Sequence, residues 1–292
     1  MDPFREFYIS SIIPQLKKIE VERKTIEKRL YRTAIIYILI LSVIVVFLFV
    51  RTHNFNVVYI FFSIPIPFVF FSKDLINNYS KKYKETVIKN LFLSYFDNYV
   101  INTEKRSQFI KLKDSGFISN RWKINIDSED FITLTFKGNK IYVQEVLVKQ
   151  GKKILFKGVL CSLDLKRIVN QNLIIINKTN NNLFKYLTLD DLRTLTIKDI
   201  NVFYRDSFDE ELTRPFIDFV SNNHVALSIQ NDKLHCLFPS DRIVIDEKME
   251  MFEPILTTKF NSNDTFRFIR DEYSRISKIS RLLLKLEEIN MA

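Results

Sequence analysis

Thr33 to Val50 reads TAIIYILILSVIVVFLFV, a run of 18 residues without one charge. At about 1.5 Å per residue a helix of that length reaches about 27 Å, close to the roughly 30 Å hydrocarbon core of a bilayer. A second uncharged run, Phe55 to Phe71 (FNVVYIFFSIPIPFVFF), follows after only Arg51, Thr52, His53 and Asn54. So short a connection turns the chain straight back, and residues 33–72 read as a transmembrane hairpin. Pro65 and Pro67 lie inside the second run. Each removes a backbone donor and crowds the preceding turn, so a bend is expected there. In lipid, neighbouring helices re-satisfy the freed carbonyls; a re-entrant segment is the alternative. In either form both ends of the hairpin return to the same side.

The flanks choose that side. Lys17, Lys18, Arg23, Lys24, Lys28, Arg29 and Arg32 precede the hairpin, and Lys73, Lys81, Lys82, Lys84 and Lys89 follow it. The connecting turn offers Arg51 and a largely neutral His53. The positive-inside rule therefore puts both termini in the cytoplasm, and a bacterial cytoplasmic (inner) membrane is the expected location. A cleaved signal peptide fits poorly: the polar lead-in exceeds thirty residues, and no small-x-small site follows the apolar run.

Charge is distributed to match. The chain has 292 residues and a formal net charge of +10, yet a mean hydropathy of only -0.03. Residues 1–107 hold 16 Lys+Arg against 9 Asp+Glu, whereas residues 108–292 hold 28 against 25. The surplus thus flanks the apolar runs, where anionic head groups attract each basic residue by about 1 kcal/mol. A nucleic-acid binder would carry it on the folded domain. The expected partners are accordingly a lipid bilayer and another membrane or cytosolic protein, and no nucleic acid.

Helical stripes adjoin the membrane segment. Leu16, Ile19, Arg23, Ile26 and Leu30 alternate spacings of three and four, and Ile76, Tyr79, Tyr83, Val87, Leu91 and Tyr95 do the same after it. The plain reading is that the two helices pack on one another. The alternative is an oligomer formed through these juxtamembrane helices.

From about Gln108 the period changes to two. Phe131–Phe136 alternates, Gly138-Asn139 supplies a turn, Ile141–Val148 alternates again, and Gly151 leads into Ile154–Cys161, an antiparallel meander. Leu173–Ile176 reads as a buried strand and Ile200–Tyr204 as another. Ser207 and Glu210 have capping-box spacing. Pro215 argues for a short first helix and a restart at Pro215-Phe216. His224–Ile229, the Asn231-Asp232 turn and Leu234–Phe238 make a hairpin. A long amphipathic helix begins near Asp264, with Phe268, Ile269, Tyr273, Ile276, Leu283 and Leu286 on its apolar face.

Sites of chemistry are harder to find. Four glycines (Gly116, Gly138, Gly151, Gly158) exclude both common phosphate-binding loops, and the G-x-S-x-G elbow is absent. His53, His224 and His235 have no metal-ligand spacing, and His235 and Cys236 point to opposite faces of a regular strand. Cys161 and Cys236 are too few for a disulfide framework and read as small buried hydrophobes. Carboxylates cluster at Asp190-Asp191 and Asp206–Glu211, the latter explained by helix capping. Trp122 and the other aromatic residues read as core. No catalytic, cofactor or metal residues are assigned; Asp164, Asp206 and Glu253 are the candidate binding residues.

Four stretches carry a resemblance. They are Phe156–Leu160 leading to Asp164-Leu165-Lys166; Val202-Phe203-Tyr204 with Asp206 and Thr213-Arg214-Pro215; Asn231–Leu234 running to Pro239; and Phe252-Glu253-Pro254 before the last helix. In order and spacing the chain resembles the bacterial membrane proteins of the domain of unknown function 3137 family. That resemblance implies a basic helical lead-in, a membrane hairpin and a cytosolic domain, and brings no catalytic residue or cofactor. Where the family often has a Tyr-Ser-Gly-Glu-Asp stretch, Asp127-Ser128-Glu129-Asp130 stands here.

The fold expected is a membrane-anchored α+β chain: a two-helix transmembrane hairpin plus a cytosolic domain with antiparallel sheet and a long C-terminal helix. Its divisions are a basic lead-in helix over 1–32, the hairpin over 33–72, a juxtamembrane helix over 73–107 and the α+β domain over 108–292, with a sub-boundary near 199. The function expected is that of a membrane-tethered, non-enzymatic binding or scaffold protein. A membrane-associated enzyme with an unrecognised active site is the alternative.

Overall fold

One helical run carries the N-terminal apolar stretch. It comprises α1 (Pro3–Phe7), a π-helical turn (Tyr8–Ile12) and α2 (Ile13–Thr52). The computed structural model describes residues 3–52, 75, 77–102, 115–117, 125–166, 172–177, 192–205, 208–223, 225–230, 232–239 and 263–291. The chain divides into two units: Met1–Asn90 with Phe252–Arg270, and Leu91–Met251 with Asp271–Ala292.

In the first unit, the helical run Phe4–Arg51, most of it α2, is the one helix among the described residues that is long and apolar enough to cross a membrane. Its apolar side chains are bare: Ile36, Leu39, Val43, Val46 and Phe47 are all exposed, and 6% of the most apolar window is buried. The second arm of the expected hairpin, Phe55–Phe71, lies outside the described residues. The stripe ahead of it is buried, with Leu16, Ile19 and Arg23 covered and Ile26 and Leu30 half-covered.

Arg23, the charged member of the stripe, is held by a two-pronged contact to Glu20 (2.7 and 2.9 Å) and by Glu27 (3.1 Å). Its hydrogen bonds hold the Glu20 carboxyl below the usual carboxylate range. An arginine fork matched to a carboxylate is what allows a charge to be buried there. Helical residues 77–83 continue through a second π-helical turn (Lys84–Ile88) into α3 (Lys89–Leu93). Tyr79, Tyr83 and Val87 of the second stripe are buried, and Lys82 pairs with Glu22 at 2.8 Å. Within this unit the two helices pack on one another; Ile76 lies outside the described residues, and Leu91 and Tyr95 belong to the second unit. Aromatic rings close the far end: Phe266 lies 5.5 Å from Phe4 and 5.0 Å from Tyr8.

The second unit is built on a nine-stranded sheet in which every pairing is antiparallel. Its strands are β1 (Asn98–Asn102), β2 (Asn125–Phe136), β3 (Asn139–Gln150), β4 (Lys153–Asp164), β5 (Leu173–Asn177), β6 (Arg193–Ile197), β7 (Ile200–Tyr204), β8 (Ala226–Gln230) and β9 (Lys233–Pro239). Their order is β1-β2-β3-β4-β9-β8-β5-β7-β6. The expected meander is β2-β3-β4. Its first hairpin turns at Lys137 and Gly138, both at positive φ (50° and 81°), the geometry a two-residue turn needs to match strand twist. Asp130, at φ 51°, sits where β2 bulges between Glu129 and Ile132.

Four features differ from the sequence expectation. The juxtamembrane helix ends at Leu93 rather than running to 107, and Asn98–Asn102 becomes β1. Tyr99 folds back to stack on Phe92 at 5.6 Å, and that ring contact favours the turn over helix. A further strand, β6, pairs with β7, so position 199 falls in a hairpin turn within one sheet. Finally, α4 (Glu210–Asn223) runs unbroken through Pro215. The proline stands in the second turn and forfeits one intrahelical hydrogen bond, while Phe216, Ile217, Phe219 and Val220 are buried. Burial of those four side chains, at about 1.5–3 kcal/mol each, outweighs it. The cap is also shifted: the Leu212 amide donates to the Asp209 carboxylate at 3.1 Å.

Between β7 and β8, α4 makes a crossover that skips over β5, which pairs with both. The long helix is α5 (Asn263–Met291), with Ile269, Ile276, Leu283 and Leu286 buried and Phe268 and Tyr273 half-buried.

Candidate functional site

The sheet has two halves, each continuous in sequence: β1–β4 and β5–β9. The β4–β9 ladder is the seam that joins them. Seven residue pairs form it, from Gly158 opposite Pro239 to Asp164 opposite Lys233. Gly158–Leu160 of β4 and Leu237–Pro239 of β9 face each other at one end of it.

Each end of the seam has a specific device. At one end Gly158 leaves room that no other residue would: a Cβ there would come within 2.1 Å of the Phe238 carbonyl oxygen and 2.7 Å of the Phe156 ring. At the other end is Asp164, the candidate residue. Its carboxylate lies 4.0 Å from the Lys233 ammonium, and both side chains are largely exposed. Such a pair contributes under about 1 kcal/mol. The Asp164 backbone is held more firmly. Asn290 of α5 donates its side-chain amide to the Asp164 carbonyl at 3.0 Å and accepts the Lys166 amide N–H at 3.0 Å. Asp164 thus marks where the last helix is tied to β4. The other candidates, Asp206 and Glu253, lie outside the described residues, as do Asp190, Asp191, His53, His224 and Trp122.

Between the ends, the two faces of the seam differ. On one face Ser162, His235 and Ser228 stand directly opposite one another on β4, β9 and β8, all buried. The His235 Nδ1 and the Ser228 hydroxyl have no hydrogen-bond partner among the described residues. Burial, and then the Lys233 charge, pushes the imidazole down to about 4, so it is neutral at physiological pH. Serine beside histidine suggests nucleophilic catalysis. A histidine that holds its proton this weakly is a poor general base, and Asp164 faces Lys233 rather than the ring.

On the other face Cys161 stands opposite Cys236. They belong to a cross-strand row of Ile132, Val143, Cys161, Cys236, Leu227, Ile175 and Val202, every member buried. Both cysteines are free thiols, and burial pushes both thiol pKa values up. His235 and Cys236 do point to opposite faces, as the strand period requires. The serine–histidine row was within reach of the sequence, because a two-residue turn after Gln230 fixes Ser228 opposite His235. The cysteine pair was not, because β4 and β9 are far apart in the chain. Among the described residues no three His, Cys, Asp or Glu side chains converge as metal ligands.

In sequence, no protein family and no curated protein matches the chain. Among solved structures, the crystal structure of the mycobacterial trehalose monomycolate transport factor A, TtfA, aligns with 70% of this chain and 94% of its own at 13% identity and a TM-score of 0.35. A likeness at that level carries no argument about this chain.

Proposed function

We propose that the chain is a membrane-tethered binding or scaffold protein of the bacterial cytoplasmic membrane, with both termini on the cytoplasmic side. Its sheet domain engages another membrane or cytosolic protein. The observation that carries the reading is the bare apolar surface of α2: a helix with 6% of its most apolar window buried has no stable home in water. Apolar patches of more than a few hundred Å² on soluble proteins mark an interface. The basic residues on both sides of residues 33–72 supply the orientation, and the second run, Phe55–Phe71, supplies the return. The resemblance to the domain of unknown function 3137 family agrees with this arrangement.

Fractionation of cells expressing the full chain tests the anchor. The protein is expected in the membrane pellet after an alkaline carbonate wash. A Leu39→Arg/Val43→Arg variant is expected in the supernatant, because each arginine near the helix centre costs about 2.5–3.5 kcal/mol on insertion scales. Wild-type protein freely soluble without detergent would refute the anchor, and labelling of the C-terminus from outside intact cells would refute the orientation. Detergent-solubilised full chain should then retain a protein partner on affinity capture. Turnover of a small molecule with no partner retained favours an enzyme instead.

A further inference from the structure

We propose that Cys161 and Cys236 are a redox modification site, a thiol pair that closes into a cross-strand disulfide and locks the β4–β9 seam. The two residues are the fourth of the seven pairs that join the halves of the sheet, and so sit at its middle. Directly opposed residues on antiparallel strands have Cα atoms about 4.5 or 5.5 Å apart, depending on the pair type, and their side chains share a face. Both separations lie within the roughly 4.4–6.8 Å range that a disulfide spans. The closed seam therefore accommodates the bond at its own strand spacing.

The surroundings set when it forms. Val143 and Leu227 stand on either side of the pair in the same row, and both thiols are wholly buried. The reacting species is the thiolate, which this apolar setting disfavours, so reaction awaits a local opening of the seam. With hydrogen peroxide as oxidant, one thiolate attacks a peroxide oxygen and releases hydroxide, leaving a sulfenic acid. The second thiolate displaces that oxygen as hydroxide and forms the S–S bond, and the two protons lost by the thiols convert the two hydroxides to water. Overall two thiols and one peroxide give one disulfide and two waters. The bridge closes a loop containing all of the chain between β4 and β9, and it forbids the seam from opening again until a thiol reductant reverses it.

These are the only two cysteines in the chain, so an intramolecular disulfide identifies itself. Full-length protein in detergent micelles is treated with hydrogen peroxide, quenched, denatured in maleimide and weighed intact. The expected product is a monomer lighter by two hydrogens, carrying no maleimide, with native circular dichroism and a raised melting temperature; dithiothreitol restores both labels. The wild-type readout does not depend on a variant folding, and Cys236→Ala should leave one labelled thiol and abolish the shift. Two labels after exposure that fully oxidises a free dithiol would overturn the proposal. So would added oxygen atoms without a bridge, disulfide-linked dimers, or a bridge that forms only in denatured protein.

Discussion

Burial holds His235 near pKa 4, against 6.5 for an unperturbed imidazole, and this couples its proton to folding. Between those values the unfolded chain binds the proton and the folded chain does not. Stability is therefore complete above about pH 6.5 and falls as the pH drops towards 4, levelling off below. Each unit is worth about 1.4 kcal/mol, so the whole window costs on the order of 3 kcal/mol. Urea unfolding of the full chain in micelles, followed by circular dichroism, should show a smaller loss from pH 7 to pH 5 for His235→Gln than for wild type. Equal losses would mean the imidazole finds a proton acceptor in the folded state. Gly158→Ala belongs to the same scale: with 2.1 Å between its Cβ and the Phe238 oxygen, strand separation must grow, at about 1–3 kcal/mol or more. A midpoint unchanged from wild type would show that the seam gives way freely. Of the candidate residues, Asp164 was singled out in sequence within one of the four stretches that carry the resemblance. Its backbone role, fixed by Asn290, has no local signal, because the two residues are 126 positions apart.

Local pattern carried far among the elements. The β2-β3-β4 meander, β5, β7, the β8–β9 hairpin and the last helix were all legible, because alternation and turn residues act over a few positions. What was missed shows where local pattern stops. Residues Asn98–Asn102 fall within the helix expected over 73–107, yet the stacking of Tyr99 on Phe92 and pairing with β2 decide for strand. Pro215 argued for two helices, and the burial of Phe216 and Phe219 made one. The cap lies at Asp209, so Asp209→Ala should lower the unfolding free energy by about 1 kcal/mol. If the loss is instead negligible, the helix takes its start from packing alone.

At the scale of the whole molecule the strand order was beyond sequence reading. Placing β9 between β4 and β8, and β5 between β8 and β7, rests on pairings between distant segments that composition does not encode. The C-terminal helix contributes to both units, residues 263–270 to the first and 271–291 to the second. Removing residues 263–291 withdraws Ile269, Ile276, Leu283 and Leu286 from burial. At about 1.5–3 kcal/mol each, that loss is comparable with the total stability of an ordinary domain, about 5–15 kcal/mol. The truncated chain should be cleaved rapidly by protease under conditions where the full chain persists.

The unbroken helix from Ile13 to Thr52 also acts as a spacer. From Ile13 to Thr33 it measures about 30 Å at 1.5 Å per residue, and the π-helical turn places Tyr8 beyond that. In a chain anchored as proposed, the Phe4–Tyr8–Phe266 cluster is carried at a set height from the lipid, and anything recruited there works at that height. Seven extra residues between 13 and 32 would raise it by about 10 Å while keeping the covered stripe in phase; about two or about nine, at roughly 100° per residue, would turn the stripe outward.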